Sequence, residues 1–187
     1  MQKIRCFVSI DIEDPALVSN IVNFQVELKK LGINMKLVER ENLHITLKFL
    51  GEISPTLLKE VTKLLHIIKF QPFNVRIVGV GAFPNIGNAR VVWLGVKEGA
   101  NELTMLQSII DNNLVKLGFK KEKEYTPHVT IARIKDWSRR GRLRNFLEER
   151  TNLEFGEMRV TNFRLKQSIL TSRGPIYRTL IEVPAAM

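Results

Sequence analysis

Apolar residues recur along the chain at two different spacings, and the change from one to the other marks out most of its elements. Leu17, Ile21, Phe24, Leu28 and Leu31 follow steps of four and three, the period of one helical face. Asp14-Pro15 supplies an N-cap and a first-turn proline ahead of them, and Gly32 a stop behind. A second helix opens at Ser54-Pro55 and carries Leu57, Leu58, Val61, Leu64, Leu65 and Ile68 on its buried stripe. A third runs from about Glu102 to Leu117, with Leu103, Leu106, Ile109, Ile110 and Leu114 inward and Gly118 at its end. A short, strongly basic fourth helix starts at Trp137 and ends near Glu149.

Between the helices the pattern shortens to that of strands. Strands are expected from Met1 to Asp11, Asn34 to Val38, Leu43 to Leu50 (stopped by Gly51), Phe73 to Val80, and Arg90 to Val96. A further strand covers the stretch from Tyr125 to Arg133, where Pro127 holds Thr126 extended. The tail reads as one long extended run from Glu157 to Leu170, a turn at Ser172-Arg173-Gly174-Pro175, and a return through Tyr177 to Val183. Strands interrupted by helices, with no low-complexity linker, predict an α+β fold spanning residues 1–187 as one domain with two interleaved lobes about a central cleft.

Composition narrows the class of partner. With 29 Lys and Arg against 19 Asp and Glu, the formal charge of +10 favours polyanions, nucleic acid first. No apolar run approaches a bilayer span, and an acid at Asp11 comes too early for a secretory signal core. The lone Cys6 cannot form an internal disulfide, which agrees with a reducing, cytoplasmic setting.

The chemistry lies in a repeat. His44-Ile45-Thr46-Leu47-Lys48 and His128-Val129-Thr130-Ile131 share the pattern His, apolar, Thr, apolar, and they use two of the three histidines. On a strand His44 and Thr46 share one face, and His128 and Thr130 another. Two imidazoles across a cleft can serve as general base and general acid, since their ordinary pKa of about 6.5 allows one to be neutral and the other protonated. Threonine hydroxyls, like an Arg, can hold phosphoryl oxygens. His66 sits on a helix with no Thr two residues on and is left out. No ligand-spaced His, Asp, Glu or Cys flanks either motif, so no metal and no cofactor is expected, and no Gly-x-Ser-x-Gly or Cys-His nucleophile arrangement is present.

These stretches resemble a known family. Arg5-Cys6-Phe7-Val8-Ser9-Ile10, Glu41 to Gly51 around the first motif, Gly81-Ala82-Phe83-Pro84, Val91 to Val96, Thr126 to Arg133, and Ser168-Ile169-Leu170 with Gly174 and Tyr177 follow the order seen in RNA 2',3'-cyclic phosphodiesterases. These are members of the two-histidine phosphoesterase superfamily, whose tRNA-handling members were named 2'-5' RNA ligases. The resemblance covers nearly the whole chain. It implies a bilobal, pseudo-twofold fold and metal-independent hydrolysis of RNA 2',3'-cyclic phosphate ends to 2'-phosphomonoesters. The reverse reaction would join RNA ends, such as tRNA halves, by a 2'-5' linkage. It places the proton donor on His44, the proton acceptor on His128, and phosphate-holding roles on Thr46, Thr130 and Arg133. Strand parity alone turns Arg133 away from His128, so that role calls for a bulge. The chain departs from the family at Gln167, where relatives often carry an acid.

Arg139, Arg140, Arg142 and Arg144, with Lys120, Lys121 and Lys123, can guide an RNA backbone. Phe49, Phe83, Trp93 and Tyr125 are candidates to stack a terminal base. A monomer is expected. The rival readings are a phosphodiesterase for small cyclic nucleotides and a non-catalytic RNA-end binder.

Overall fold

The N-terminal caps expected of the first two helices are both formed. The Leu17 amide donates to Asp14 Oδ1 at 2.9 Å and the Leu57 amide to Ser54 Oγ at 3.1 Å, so α1 (Pro15–Lys29) and α2 (Pro55–His66) each begin on a side-chain oxygen with proline in the first turn. The computed structural model of the protein describes residues 2–187; Met1, at the head of the first predicted strand, lies outside them. The third helix, α3 (Ala100–Val115), starts two residues earlier than expected, after Gly99. Gly99 has φ of 86°, and a Cβ there would meet the Asn74 carbonyl oxygen at 2.3 Å, so the close approach to the neighbouring strand requires glycine. The basic helix α4 spans Arg140–Glu148.

The strands are β1 (Ile4–Asp11), β2 (Met35–Leu37), β3 (His44–Ile53), β4 (Phe73–Phe83), β5 (Val91–Val96), β6 (His128–Ile134), β7 (Glu154–Val160), β8 (Asn162–Thr171) and β9 (Gly174–Pro184). They form an antiparallel sheet in the order β7-β4-β5-β6-β3-β1-β8-β9, with β2 also paired to β6. Together with the helices this is the α+β architecture expected, and the two motif strands, β3 and β6, lie side by side at its centre.

Two strand expectations are corrected. Gly51 does not stop β3: it takes a φ of 71°, Leu50 is left out of the register with β1, and pairing resumes through Ile53. Nor is Glu157 to Leu170 a single strand. It breaks at Thr161: before the break β7 pairs with β4 at one edge, and after it β8 pairs with β1 and β9 near the other. One residue can join strands so far apart in the order only if the sheet curls strongly.

The helices cross between the halves. Although α1 follows β1, it packs on β6 and β7, where Phe24 meets Phe146 and Phe155 at centroid distances of 5.8 and 5.3 Å. Helix α3 follows β5 but packs on β3 and α2. Gln25 of α1 is buried and donates to the carbonyls of both Val38 and Ile131 at 2.9 Å, tying α1 to β6. The helix-covered face of the sheet holds the main core, including Ile45, Leu47, Val129 and Ile131. Cys6 belongs to it, and burial pushes its thiol up to about 11, which keeps it a neutral packing group.

Candidate active site

The two motif strands repeat one pattern of inward and outward side chains. Across His44–Leu50 and again across His128–Ile134, the first and third residues are half-buried, the sixth is exposed and the rest are buried. Two consecutive buried residues break the alternation at the same place in each. Leu47 is skipped between Ser9↔Thr46 and Val8↔Lys48, and Ile131 is skipped between Trp93↔Thr130 and Val92↔Ala132. Each skip is a β-bulge, and a bulge inverts the parity of everything after it. Arg133 is thereby returned to the face of His128 and Thr130, and Phe49 to that of His44 and Thr46.

A pairing of Ile45 with Val129 joins the strands. Extending that antiparallel register by one step sets His44 opposite Thr130 and Thr46 opposite His128. Pro127 has no amide to continue the ladder, and the Tyr125 hydroxyl donates to the Thr46 carbonyl at 2.8 Å in its place. The strands diverge from this point, leaving the four motif side chains on the face away from the main core.

Both rings are oriented in the same way. His44 Nδ1 lies 2.7 Å from the Asn42 carbonyl oxygen, and His128 Nδ1 lies 2.7 Å from that of Thr126. A carbonyl only accepts, so each Nδ1 carries a proton and each neutral ring keeps its lone pair on Nε2. His44 Nε2 is 3.0 Å from Thr46 Oγ1, which donates to it when the ring is neutral. Burial lowers the pKa of both histidines. For His44 the Asn42 carbonyl and the Asp11 carboxylate oppose that shift, while Lys166 and His128 add to it. Of the two, only His44 has a carboxylate acting on it.

Asp11 is the partner of His44 across β1 and β3. It accepts from Lys166 Nζ at 2.7 Å and Arg164 Nη1 at 2.8 Å, and from Ser9 Oγ at 3.2 Å. Burial alone would raise its carboxyl, but the two cations hold it below its usual range. Aromatic rings flank each histidine: Phe7 and Tyr177 stand 5.1 and 5.4 Å from His44, and Phe83 and Trp93 stand 5.0 and 6.1 Å from His128. Burial raises the Tyr177 phenol while the charges of Arg133 and Arg5 pull it down, so both guanidiniums lie within electrostatic reach of that ring.

Lys48, turned inward by the bulge, forms a buried ion pair with Asp111 of α3 at 2.6 Å, each side chain 3% exposed. Lys48 Nζ also donates to the Lys120 carbonyl at 2.5 Å, and Asp111 Oδ2 accepts from the Glu122 amide at 3.0 Å. The segment leading to Thr126 and His128 is thus anchored on the strand that carries His44.

A sequence model of the 2'-5' RNA ligase superfamily matches residues 20–168, four-fifths of the chain and both motif strands. The chain belongs to that superfamily. Two relatives, from Aeropyrum pernix and Archaeoglobus fulgidus, are each 43% identical over 91% and 94% of this chain and 97% of their own, and each is named RNA 2',3'-cyclic phosphodiesterase. The crystal structure of TT0787 from Thermus thermophilus superimposes with a TM-score of 0.82 at 26% identity, covering 97% of both chains. The Escherichia coli LigT structure shares the fold, with a TM-score of 0.81 at 23% identity over the full length of both.

In this member of the 2'-5' RNA ligase superfamily, His44, Thr46, His128, Thr130 and Arg133 come to one face of the sheet. His66 is exposed at the end of α2, away from it. Among the described residues no cluster of three His, Cys, Asp or Glu side chains could hold a metal ion, and no helix is long and apolar enough to cross a membrane. Of the proposed stacking residues, Phe83 and Trp93 flank His128, and Tyr125 has its hydroxyl committed to Thr46. On the basic helix, Arg144 pairs with Glu148 at 2.8 Å, while Arg140 and Arg142 are exposed. Sequence reasoning passed over Asp11, Lys166, Phe7 and the Lys48–Asp111 pair. Lys48 continues the polar-apolar alternation of His44 to Leu47, so nothing in the strand's pattern marks it as buried.

Proposed function

We propose that the protein hydrolyses RNA 2',3'-cyclic phosphate ends to 2'-phosphomonoesters, without a metal ion, through His44 as general acid and His128 as general base. The observation that carries the reading is the matched pair of imidazoles on adjacent strands, each held through Nδ1 by a carbonyl two residues upstream, which leaves Nε2 of each for proton transfer. Relatives of nearly equal length that carry the phosphodiesterase name support it.

In the reaction, His128 Nε2 accepts a proton from water as the water oxygen attacks phosphorus. The bond from phosphorus to O3' breaks in line, and His44 gives its Nε2 proton to O3', leaving the phosphate on O2' and a 3' hydroxyl. Thr46, Thr130 and Arg133 hold the non-bridging oxygens as charge builds. The Asp11 carboxylate favours the protonated form of His44 and acts on His128 less, which supports the acid role for His44. A bound phosphodiester adds a negative charge beside both rings and raises them toward working values.

With the 5' hydroxyl of a second RNA end in place of water, the same groups join ends by a 2'-5' bond: His128 takes the proton of that hydroxyl as O5' attacks phosphorus, and O3' leaves with the proton of His44. The net charge of +10 and the exposed arginines of α4 support RNA, tRNA halves included, over a mononucleotide as substrate. The chain is proposed to act as a cytoplasmic monomer and as a single domain, because both halves contribute to the site. Comparing turnover of a tRNA half with that of a mononucleoside 2',3'-cyclic phosphate tests the substrate: a clear preference for the RNA, weakening with salt, is expected, and equal efficiency for both contradicts it.

A further inference from the structure

The two histidines are held through the same ring atom but by differently secured carbonyls. The carbonyl that holds His128 belongs to the peptide between Thr126 and Pro127, and a proline restricts the residue before it, so the covalent chain itself aims that carbonyl. The peptide between Asn42 and Leu43, whose carbonyl holds His44, has no such constraint. Its neighbours are tied: the Asn42 N–H donates to the Glu39 carbonyl at 2.9 Å, and the Leu43 carbonyl accepts from the Ile12 amide at 3.0 Å. A peptide between two fixed neighbours can still turn about its own axis by opposite changes in the two flanking torsions. Its N–H end opposes this only weakly, with the Leu43 nitrogen 3.5 Å from the Arg40 carbonyl oxygen at the close of a single 3₁₀ turn (Arg40–Asn42). The firm tie is the Asn42 side chain. It is 7% exposed, and its Nδ2 donates to the Pro175 carbonyl at 3.0 Å, across 133 positions of sequence.

Pro175 lies at the tip of the β8–β9 hairpin, which leaves the rest of the sheet to reach this point. The last pairing of β8 with β1 is Cys6↔Gln167, and β8 and β9 run on together to Thr171 and Gly174 without β1. The tip is fastened beside the first motif, where Lys36 Nζ of β2 donates to the Arg173 carbonyl at 3.3 Å. Two residues beyond Pro175, Tyr177 sets its ring edge-on to His44 at an interplanar angle of 85°. The hairpin thus reaches His44 twice, once through Asn42 and once through the ring itself. We propose that Asn42 is a positioning residue for the general acid: by tying the Asn42–Leu43 peptide to the hairpin, its side chain keeps the carbonyl aimed at His44 Nδ1, so that the proton given up is the one on Nε2. The proposal rests on the phosphodiesterase reading above for the role of His44. The titratable groups around that ring are Asp11 of β1, Lys166 of β8, His128 of β6 and the Tyr177 phenol of β9. Asn42 adds no charge to this set, and its side chain acts through geometry alone.

The test is Asn42→Ala, read by the nitrogen resonances of the two histidines and by the pH profile for hydrolysis of an RNA 2',3'-cyclic phosphate end. In the unaltered protein, at a pH where the rings are neutral, His44 should be a single tautomer with its proton on Nδ1. Asn42→Ala should give a mixed tautomer at His44. Its limb of the profile should move to lower pH, because the carbonyl that favours the protonated ring is no longer held on it. The expected loss in kcat is about 10- to 100-fold, the scale of misplacing a reacting group, with KM little changed. The resonances and limb of His128 should stay, which also reports that the fold is kept. Asn42→Ser, whose hydroxyl is too short to reach Pro175, should behave in the same way, and it decides the matter if the alanine variant does not fold. A merely structural role would lower stability and leave the tautomer and the limb in place. That result, a mixed tautomer already in the unaltered protein, or failure of both variants to fold overturns the proposal. No turnover by the unaltered protein contradicts the phosphodiesterase reading instead, and the tautomer of His44, read without substrate, then decides the positioning role by itself.

Discussion

Ile45 and Val129 face one another across the centre of the sheet, and their pairing is the link in register between the two motif strands among the described residues. It sets each histidine opposite the other motif's threonine, and the divergence on either side opens the space in which a phosphoryl group fits. Widening the contact should therefore act on chemistry before it acts on folding. Val129→Ala removes two methyl groups from a fully buried site and should cost about 1–3 kcal/mol in stability. Measured well below the melting temperature, kcat should fall while KM changes little.

The pH profile should show both depressed imidazoles. Since burial lowers His44 and His128 in the free protein, the bell for kcat/KM should be centred on the acid side of the ordinary imidazole value of about 6.5. Asp11→Asn removes the carboxylate that holds His44 up, so the limb belonging to His44 should move to lower pH while that of His128 stays. Stability carries the same sign. The unfolded chain binds protons at these rings at higher pH than the folded one, so the contribution is full above about 6.5 and is lost as pH falls through the folded values. Chemical denaturation across that window checks it.

Breaking the buried ion pair should be costly. Lys48→Met leaves Asp111 charged and unpaired, which typically costs about 3–5 kcal/mol, and frees the Lys120–Glu122 segment that leads to His128. The double variant Lys48→Met, Asp111→Leu should recover most of the stability by denaturant titration while activity stays low, because the anchor of the segment is still missing.

Arg133 should act through charge. Arg133→Gln keeps much of the side chain's length but loses the cation, and the expected loss in kcat/KM is about 10- to 100-fold, the range of a hydrogen bond to a charged group. Thr130→Ala should give a partial loss of about 10²-fold. Steady-state kinetics on a cyclic-phosphate end separates the two, and values within twofold of the unaltered protein would remove either residue from the site.

Much of this was legible in the residues. The periods of Leu17 to Leu31 and Leu103 to Leu114 and the caps at Asp14 and Ser54 are local, so the helices could be read directly. The repeat around His44 and His128 needed only strand parity. What stayed hidden depends on partners. The role of Arg133 called for a bulge in its strand, and one is found at Ile131, but its place and the matching bulge at Leu47, which turns Phe49 to the cleft face, exist only relative to β5 and β1. Asp11 faces His44 because β1 lies beside β3, and Lys166 reaches Asp11 because β8 lies beside β1; neither adjacency is written in the spacing of side chains. The break at Thr161 was missed for the same reason, since two strands at distant places in the sheet look like one extended run when their neighbours are unknown.

The central claim is tested by incubating an RNA with a 2',3'-cyclic phosphate end with the protein in EDTA, and identifying the product by phosphorus resonance or isomer-specific chromatography. The account predicts a 2'-phosphomonoester, with the rate lowered about 10²- to 10⁴-fold in both His44→Ala and His128→Ala while the fold is retained. Undiminished turnover in both variants, or a 3'-phosphate as the product, would contradict it.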